Sequence, residues 1–311
     1  MLRVMFVGTS SARPTVSRNT SSLAVQREGD LYLFDCGEGT QRQMMRYAVG
    51  FTVKEIYLTH MHADHYLGTV GLLRTMSLQG REEPLKIFTL PGGERLLEDA
   101  VGLELEELTF TVEIEPLAPG ESVGHGDYSI SAYRVSHPGG ANGYSLAEEA
   151  RPGRFYPEQA AALGVPEGPL FGRLQRGEAV RLEDGREVKP DEVMGSARPG
   201  RTLVYSGDTR PCESTVEAAS GCDMLVHEAT FSDEEVERAQ RTGHSTASQA
   251  GEIALRAGAR QLVLTHLSAR YSERPFVLER EAKQACQGAC EVIVAYDGLA
   301  IEIPLHDEAS R

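Results

Sequence analysis

The stretch "LTHMHADHYLG", residues 58–68, is the most informative part of this sequence. It places three of the nine histidines and one aspartate within six positions, directly after an apolar run. His60 and His62 project to one side if the backbone stays extended, whereas Asp64 and His65 enter the next turn. An unpaired buried polar group costs ~1–3 kcal/mol, so the cluster needs a partner that satisfies all four side chains. One or two divalent cations would do so, because they use every imidazole and neutralise the carboxylate.

Three further ligand candidates follow other apolar runs of the same kind. "AYRVSH" ends at His137, "TLVYSGD" at Asp208 and "QLVLTH" at His266. With the first cluster they make seven nitrogen or oxygen ligands and no thiolate, which suits two ions that share a carboxylate. Two such ions ~3.5–4 Å apart hold a hydroxide at neutral pH and clamp the oxygens of a phosphoryl or acyl centre. The pattern therefore favours a catalytic dimetal site over a closed structural one.

Strands and helices alternate along the chain, which predicts an α/β sandwich. The runs that end in His or Asp, including "LYLFDCGEGTQ" with Asp35 and "DMLVHE" with His227, have the β-branched, apolar composition of strands. "TASQAGEIALRAG" begins with the capping box of Thr246 and Gln249 and predicts a helix that ends at Gly258. After the first cluster, apolar residues recur every third position and predict one face of a helix: Leu67, Val70, Leu73 and Met76. Polar residues at strand ends indicate a site along one rim of the sheets.

Residues 151–200 break this alternation. They hold six of the fifteen prolines, and the segment is too long for a plain connection. The sequence predicts a short alanine-rich helix and a hairpin that turns at Asp184-Gly185. Eight Lys and Arg balance eight Asp and Glu, so the whole net charge of −15 lies in the rest of the chain. We interpret the segment as an arm whose arginines contact phosphate; a solvated lid or a dimer contact is the alternative.

Composition limits the possible partners and compartments. A net charge of −15 argues against non-specific binding to nucleic acid, so a polyanionic partner needs local positive charge or bound cations. The longest apolar runs are five or six residues, too short for a membrane span or a signal peptide, which predicts a cytoplasmic protein. Five cysteines without a C-x-x-C pair argue against a disulfide framework, and Cys286 and Cys290 are interpreted as small buried thiols. We expect structural roles for His125, His227 and His306.

The arrangement H-x-H-x-D-H, followed by distant His, Asp and His, resembles the metallo-β-lactamase superfamily. Further stretches, "FDCGEGTQRQM", "GVPEGPLFGRLQRGE", "HEATF", "GHSTASQA" and "LTHLSARY", resemble the ribonuclease Z family of endonucleases, which remove the 3′ trailer from precursor tRNA. The resemblance implies one α/β domain over residues 1–311, a four-layered αβ/βα metallo-β-lactamase sandwich. It also implies that residues 151–200 are inserted as a tRNA-binding arm, or exosite.

The resemblance assigns the metal ligands. It implies two Zn²⁺ per subunit, with Mn²⁺ or Fe as possible replacements. One ion would be bound by three histidines: His60, His62 and His137. The other would be bound by residues of two segments: Asp64, His65 and His266. Asp208 would bridge the two ions.

The resemblance also assigns the catalytic groups. Hydroxide would attack the phosphodiester, with Asp64 as proton acceptor and His244 as proton donor to the leaving group. The products would be a 3′-hydroxyl on the tRNA and a 5′-phosphate on the trailer. Glu228, in "HEATF", would orient His244 if the two strand ends meet; a surface carboxylate is the alternative.

Substrate and partners follow from the same resemblance. It implies a homodimer in which the arm of one subunit grips precursor tRNA for the other. The arm residues expected to bind the substrate are Arg154, Gly168, Pro169, Phe171 and Arg173. Two other functions stay open: a dimetal hydrolase of small phosphodiesters, other esters or lactones, and a non-catalytic, metal-bearing RNA-binding scaffold.

Overall fold

Seven strands pair into each of two mixed sheets in the computed structural model, which describes residues 1–102 and 107–306. The first sheet has the spatial order β16 (Ala300–Glu302), β1 (Leu2–Gly8), β2 (Ser22–Arg27), β3 (Asp30–Phe34), β4 (Val53–Tyr57), β5 (Leu85–Thr89) and β6 (Val112–Pro116). The second has the order β15 (Glu291–Val294), β14 (Gln261–Thr265), β13 (Met224–Glu228), β12 (Thr202–Tyr205), β9 (Asn142–Glu148), β8 (Tyr128–Arg134) and β7 (Ser122–Gly124). The predicted strands are confirmed.

Helices cover the outer face of each sheet. Those that follow strands of the first sheet are α1 (Thr40–Arg46), α2 (Ala63–Tyr66), α3 (Gly68–Leu78) and α4 (Glu94–Val101). Those that follow strands of the second are α7 (Glu213–Ala218), α8 (Val236–Thr242), α9 (Ala247–Ala257) and α10 (Phe276–Cys286). The predicted capping box of α9 is present, and the helix ends at Gly258 with φ 66°.

Three apolar layers hold these elements together. In β3 the side chains of Tyr32 and Phe34 pack between the two sheets, whereas Leu31 and Leu33 pack against the helices that cover the first sheet. This division follows from the strand period, since successive side chains point to opposite faces. A third cluster joins the second sheet to α9 and α10. The layers are therefore helix, sheet, sheet and helix, and the predicted αβ/βα sandwich is confirmed.

Parallel strands place the functional side chains at one rim. In the first sheet β3, β4 and β5 are parallel, and in the second β12, β13, β14 and β15 are parallel. The carboxyl ends of parallel strands lie at the same edge of a sheet. Asp35, His60, Asp208 and His266 all follow such ends within three residues. The fold thus gathers residues that are far apart in sequence.

The described chain divides into two compact units, one of residues 1–147 and 202–304 and the other of residues 148–201 with Leu305 and His306. The second unit has its own small core: Ala160, Val165, Leu174, Val180, Val188 and Val193. It contains α5 (Pro157–Ala162), α6 (Pro169–Gln175) and the hairpin of β10 (Val180–Arg181) and β11 (Glu187–Val188). The alanine-rich helix and the hairpin are as predicted, whereas α6 was not predicted.

Two details of the sequence analysis were wrong. Leu67 is 45% exposed, because side chains three residues apart drift by 60° per step around a helix of 3.6 residues per turn. The buried face of α3 instead contains Leu72, Leu73 and Met76. Cys286 and Cys290 are joined by a disulfide across the turn that follows α10, so they are not free thiols.

None of the helices in the described parts of the chain is both long enough and apolar enough to cross a lipid bilayer.

Candidate metal centre

The histidine-rich stretch folds as an extended segment followed by a helical turn. His62 has extended backbone angles (φ −77°, ψ 146°) immediately before α2 begins. His60 is buried and His62 is exposed, and their ring centroids are 4.5 Å apart. Asp64 and His65 are buried within α2. One short loop therefore presents ligands in two directions, as its sequence predicts.

The structure brings the seven candidate ligands together in two groups. In the first, the ligand atoms of four residues lie within 4.8 Å of one another: His60, His62, His137 and Asp208. In the second, the same limit holds for Asp64, His65 and His266. Asp208 faces both groups, since its Oδ2 is 3.8 Å from His60 Nε2 and its Oδ1 is 3.2 Å from His266 Nε2. This geometry allows the Asp208 carboxylate to be shared by two ions.

Three ligand atoms are buried without a hydrogen-bond partner: His60 Nε2, His65 Nε2 and Asp208 Oδ1. A buried polar atom left unsatisfied costs ~1–3 kcal/mol, so three at one point indicate a partner other than a protein group. Histidine and carboxylate ligands without thiolate are a set that divalent transition metals accept. The residues fit a divalent metal centre.

The pKa shifts of three ligands also suit metal binding, whereas Asp208 and Asp35 outweigh burial and raise the pKa of His65. Burial lowers the pKa of His60 and of His137, which favours neutral imidazoles. Burial alone would raise the pKa of Asp208, but nearby imidazoles, first His266 and then His65, hold that pKa well below its usual range. Neutral imidazole and ionised carboxylate are the forms that bind metal ions.

Asp35 holds one ligand in place, a role that its position after β3 did not predict. Its Oδ2 lies 2.8 Å from His65 Nδ1 and accepts a hydrogen bond of 2.8 Å from the Tyr205 hydroxyl. Its Oδ1 accepts from the backbone N–H of Thr59 at 2.8 Å. Asp35 has a left-handed backbone, φ 61°, which is uncommon for a residue other than glycine. A carboxylate on Nδ1 directs Nε2 of His65 toward the centre.

Two other ligands are oriented in the same way. His137 Nδ1 donates to the carbonyl of Gly243 at 2.9 Å. His266 Nδ1 lies 2.8 Å from the Thr230 hydroxyl. Neither contact was predicted, because each joins loops that the sequence separates widely. In both histidines Nε2 is left to face the ligand group.

His244 and Glu228 form a pair beside the ligands. Glu228 is fully buried, and its Oε1 lies 2.8 Å from His244 Nδ1. Burial lowers the pKa of His244, but the Glu228 carboxylate outweighs it and raises that pKa to about 9. The two strand ends therefore meet, and Glu228 is not a surface carboxylate.

His244 also lies close enough to Asp208 and His266 to complete a third group of possible ligands. However, the atom of His244 that faces Asp208, at 3.8 Å, is Nδ1, and this nitrogen is already engaged by Glu228. This contact leaves Nε2 as the second ring nitrogen of His244.

A cavity of about 510 Å³ opens beside the centre, and we call it the arginine cavity. Its lining includes Asp64, Asp208, His244 and His266 together with three arginines: Arg13, Arg238 and Arg270. The last two share an acidic partner, since Arg238 and Arg270 lie 3.4 and 3.5 Å from Glu235 Oε1. Three guanidinium groups thus lie beside the acidic ligands Asp64 and Asp208.

The five predicted substrate-binding residues lie in the unit of residues 148–201. Gly168 (φ 134°) precedes α6, which begins at Pro169. The rings of Phe171 and Phe155 pack with centroids 4.9 Å apart. Arg173 binds Glu178 at 2.9 Å, and Arg154 is exposed. Their part in substrate binding stays a prediction.

The three histidines expected to be structural lie outside the ligand groups found among the described residues. His125 Nε2 lies 3.2 Å from Glu55. His227 is fully buried, and its Nδ1 donates to the carbonyl of Glu228 at 2.7 Å.

Comparison with known proteins agrees with this geometry. The beta-lactamase superfamily domain matches residues 178–267, and the anti-Pycsar protein Apyc1 family matches residues 2–151. Ribonuclease Z of Myxococcus xanthus is 55% identical over 307 residues, 99% of either chain. Ribonuclease Z of Gemmatimonas aurantiaca is 51% identical over 309 residues, 99% of this chain and 98% of that one.

A solved structure of a related enzyme also resembles this chain. The short form of human tRNase Z superposes with a TM-score of 0.70 and 26% identity, over 97% of this chain and 100% of that one. Together with the near full-length relatives, this likeness includes both the ligand rim and residues 148–201. The chain belongs to the ribonuclease Z family of the metallo-β-lactamase superfamily.

Proposed function

We propose that the protein is an endoribonuclease that removes the 3′ trailer from precursor tRNA. The observation that carries the proposal is the pair of His244 and Glu228, joined at 2.8 Å beside two groups of metal ligands. A site that used metal only to hold its loops would have no need of an oriented proton donor. The family names of relatives 45–55% identical over nearly the whole chain support the RNA substrate.

The ligand assignment follows the two groups. We propose that His60, His62 and His137 bind one Zn²⁺. The other would be bound by Asp64, His65 and His266, and Asp208 would serve both. Bound divalent ions supply Lewis acidity, which makes water a nucleophile at neutral pH and stabilises charge on a phosphoryl group.

The chain's own residues move the protons. Asp64 accepts the proton of the attacking water, while the bond between phosphorus and the 3′ oxygen of the tRNA breaks. His244 donates a proton to that oxygen, so the tRNA ends in a 3′-hydroxyl and the trailer keeps the phosphate. Glu228 holds Nδ1 of His244, which leaves Nε2 as the donating nitrogen.

The unit of residues 148–201 is proposed to bind the body of the tRNA. It is nearly neutral, with nine Lys and Arg against ten Asp and Glu, whereas the rest of the chain carries a net charge of −14. Within it, Arg154, Gly168, Pro169 and Arg173 are exposed, and Phe171 is partly exposed. A homodimer in the cytoplasm, where each arm serves the partner's centre, remains part of this proposal.

The test uses one defined precursor tRNA with a short trailer. We expect a single cut that leaves a 3′-hydroxyl and a 5′-phosphate, is abolished by chelator and is restored by Zn²⁺. His244→Ala should lower turnover far more than RNA affinity, whereas deletion of residues 155–195 should weaken RNA binding and spare hydrolysis of bis-p-nitrophenyl phosphate. His125→Ala, which changes a histidine outside the centre, is the matched control.

The rival functions give different results. Hydrolysis of the small diester without cleavage of the precursor would favour a small-molecule hydrolase. Cleavage of neither, by protein that holds its metal ions, would favour the non-catalytic scaffold. If His244→Ala and the deletion had the same effect, the proposed division between chemistry and binding would be wrong.

A further inference from the structure

A second, smaller cavity lies on another side of the metal ligands. Its volume is about 250 Å³, and it is lined by residues 60–62, by residues 90–93 with Leu96, and by residues 138–140. We call it the glycine cavity, because four of these lining residues are glycines. His62 lines both this cavity and the arginine cavity. The two cavities therefore open onto the same centre from different sides.

The two cavities differ in charge. The arginine cavity contains Arg13, Arg238 and Arg270. Among the described residues that line the glycine cavity there is no Lys, Arg, Asp or Glu, and its side chains are two imidazoles, leucines, prolines and a methionine. Leu96 on α4 is 44% exposed there. The first lining suits phosphates, and the second suits an uncharged, flat group.

Backbone forms much of the wall of the glycine cavity. Gly92 and Gly139 have left-handed angles, φ 94° and 82°, and a Cβ at either would meet no atom within 4 Å. Any longer side chain at these positions would thus extend into open space. Glycine keeps that space free and allows a ring to approach the backbone closely.

We propose that the glycine cavity binds the first nucleoside of the trailer. The inference rests on the proposed function, in which His244 protonates the leaving 3′ oxygen of the tRNA. His244 lines the arginine cavity and is absent from the lining of the glycine cavity. The terminal nucleotide of the tRNA, with its further phosphates, therefore lies on the arginine side.

The trailer nucleoside is joined to the scissile phosphate through its 5′ oxygen. It therefore lies on the opposite side of that phosphate from the 3′ oxygen of the tRNA. Its base is uncharged and flat, like the group that the lining suits. Pockets for drug-sized ligands have volumes of ~300–1,000 Å³. The glycine cavity, at about 250 Å³, is smaller and has room for one ring system. A base stacks on an imidazole ring such as that of His62 and packs against apolar side chains, with little dependence on its identity. The cavity would accordingly bind the first trailer base whatever its identity, and a precursor that lacks this base would bind more weakly.

The chain contains no tryptophan, which gives a direct optical test. Leu96→Trp introduces a single indole at the glycine cavity, and His244→Ala in the same chain slows turnover so that binding can be measured. We expect a precursor tRNA with a normal first trailer base to quench the tryptophan emission. The same precursor with an abasic first trailer position should not. Leu78→Trp, at an exposed leucine of α3 that lines neither cavity, is the control and should not respond.

A kinetic arm completes the test. With wild-type protein, the abasic precursor should show a roughly 5- to 100-fold lower kcat/KM, as expected for loss of one stacked base. Leu96→Ala should reduce that difference severalfold, and Leu78→Ala should leave it unchanged. If the wild-type protein cuts precursor tRNA normally but neither the quenching nor the abasic defect is found, this inference is overturned and the proposed function stands. If it cuts no precursor, the proposed function fails and the inference fails with it.

Discussion

Replacement of Glu228 by glutamine removes one charge and keeps the shape of a fully buried side chain. Oε1 of Glu228 accepts from the backbone N–H of Thr209 at 2.9 Å and from His244 Nδ1 at 2.8 Å. Oε2 accepts from the backbone N–H and the hydroxyl of Thr230, at 3.1 and 2.7 Å. An amide has one oxygen, so its NH₂ must face donors on one side or the other. A buried donor left without an acceptor should cost about 1–3 kcal/mol of unfolding free energy.

The larger effect of Glu228→Gln should be on catalysis. The carboxylate raises the pKa of His244 from 6.5 to about 9 against the effect of burial. If that pKa returns to its ordinary value, the protonated fraction at pH ~8 falls roughly thirtyfold. The sign is fixed: a proton donor is lost as pH rises, so the defect should be large at alkaline pH and should shrink below pH ~6.5.

The assay is single-turnover cleavage of precursor tRNA between pH ~5.5 and ~9 at constant metal occupancy. Glu55→Gln is the matched control, because Glu55 is also a largely buried carboxylate and accepts a hydrogen bond of 2.5 Å from Tyr57. It should lower stability without moving the pH profile. If Glu228→Gln lowered the rate equally at every pH, as a purely structural change would, the role assigned to Glu228 would be refuted.

Three further predictions follow from single contacts. Asp208→Ala should lower bound metal, measured by elemental analysis, from two ions per chain to one or none, since both ligand groups face this carboxylate; retention of two ions would contradict the shared-ligand geometry. Glu148→Gln should cost about 3–5 kcal/mol in urea unfolding, because it breaks a buried two-bond pair with Arg201 at 2.7 Å; a cost near zero would show that the pair is solvated. Burial lowers the pKa of His227 below 6.5, so its stabilising effect is complete above that pH and is lost as pH falls. His227→Leu should therefore flatten the dependence of Tm on pH between ~5 and ~6.5, and an unchanged slope would exclude this histidine as the cause.

The disulfide and α3 show where local patterns fail. The sequence led us to interpret Cys286 and Cys290 as buried thiols, but α10 ends at Cys286, and the turn that follows brings the two sulfurs together. Regular spacing of apolar residues likewise predicted that α3 forms a helix. It did not predict which side of α3 is buried, because the sheet that packs against the helix decides that.

By itself the sequence determined the strands, the two-directional loop at His60 and the seven candidate ligands, because each of these depends on short-range alternation and on which residue follows a strand. Tertiary structure alone decided that Asp35 supports His65, that Glu228 engages His244, and that an arginine cavity and a glycine cavity lie on different sides of the centre. These contacts join segments that are well separated in the sequence. Their partners are fixed by strand order and register in the two sheets, which no local pattern specifies.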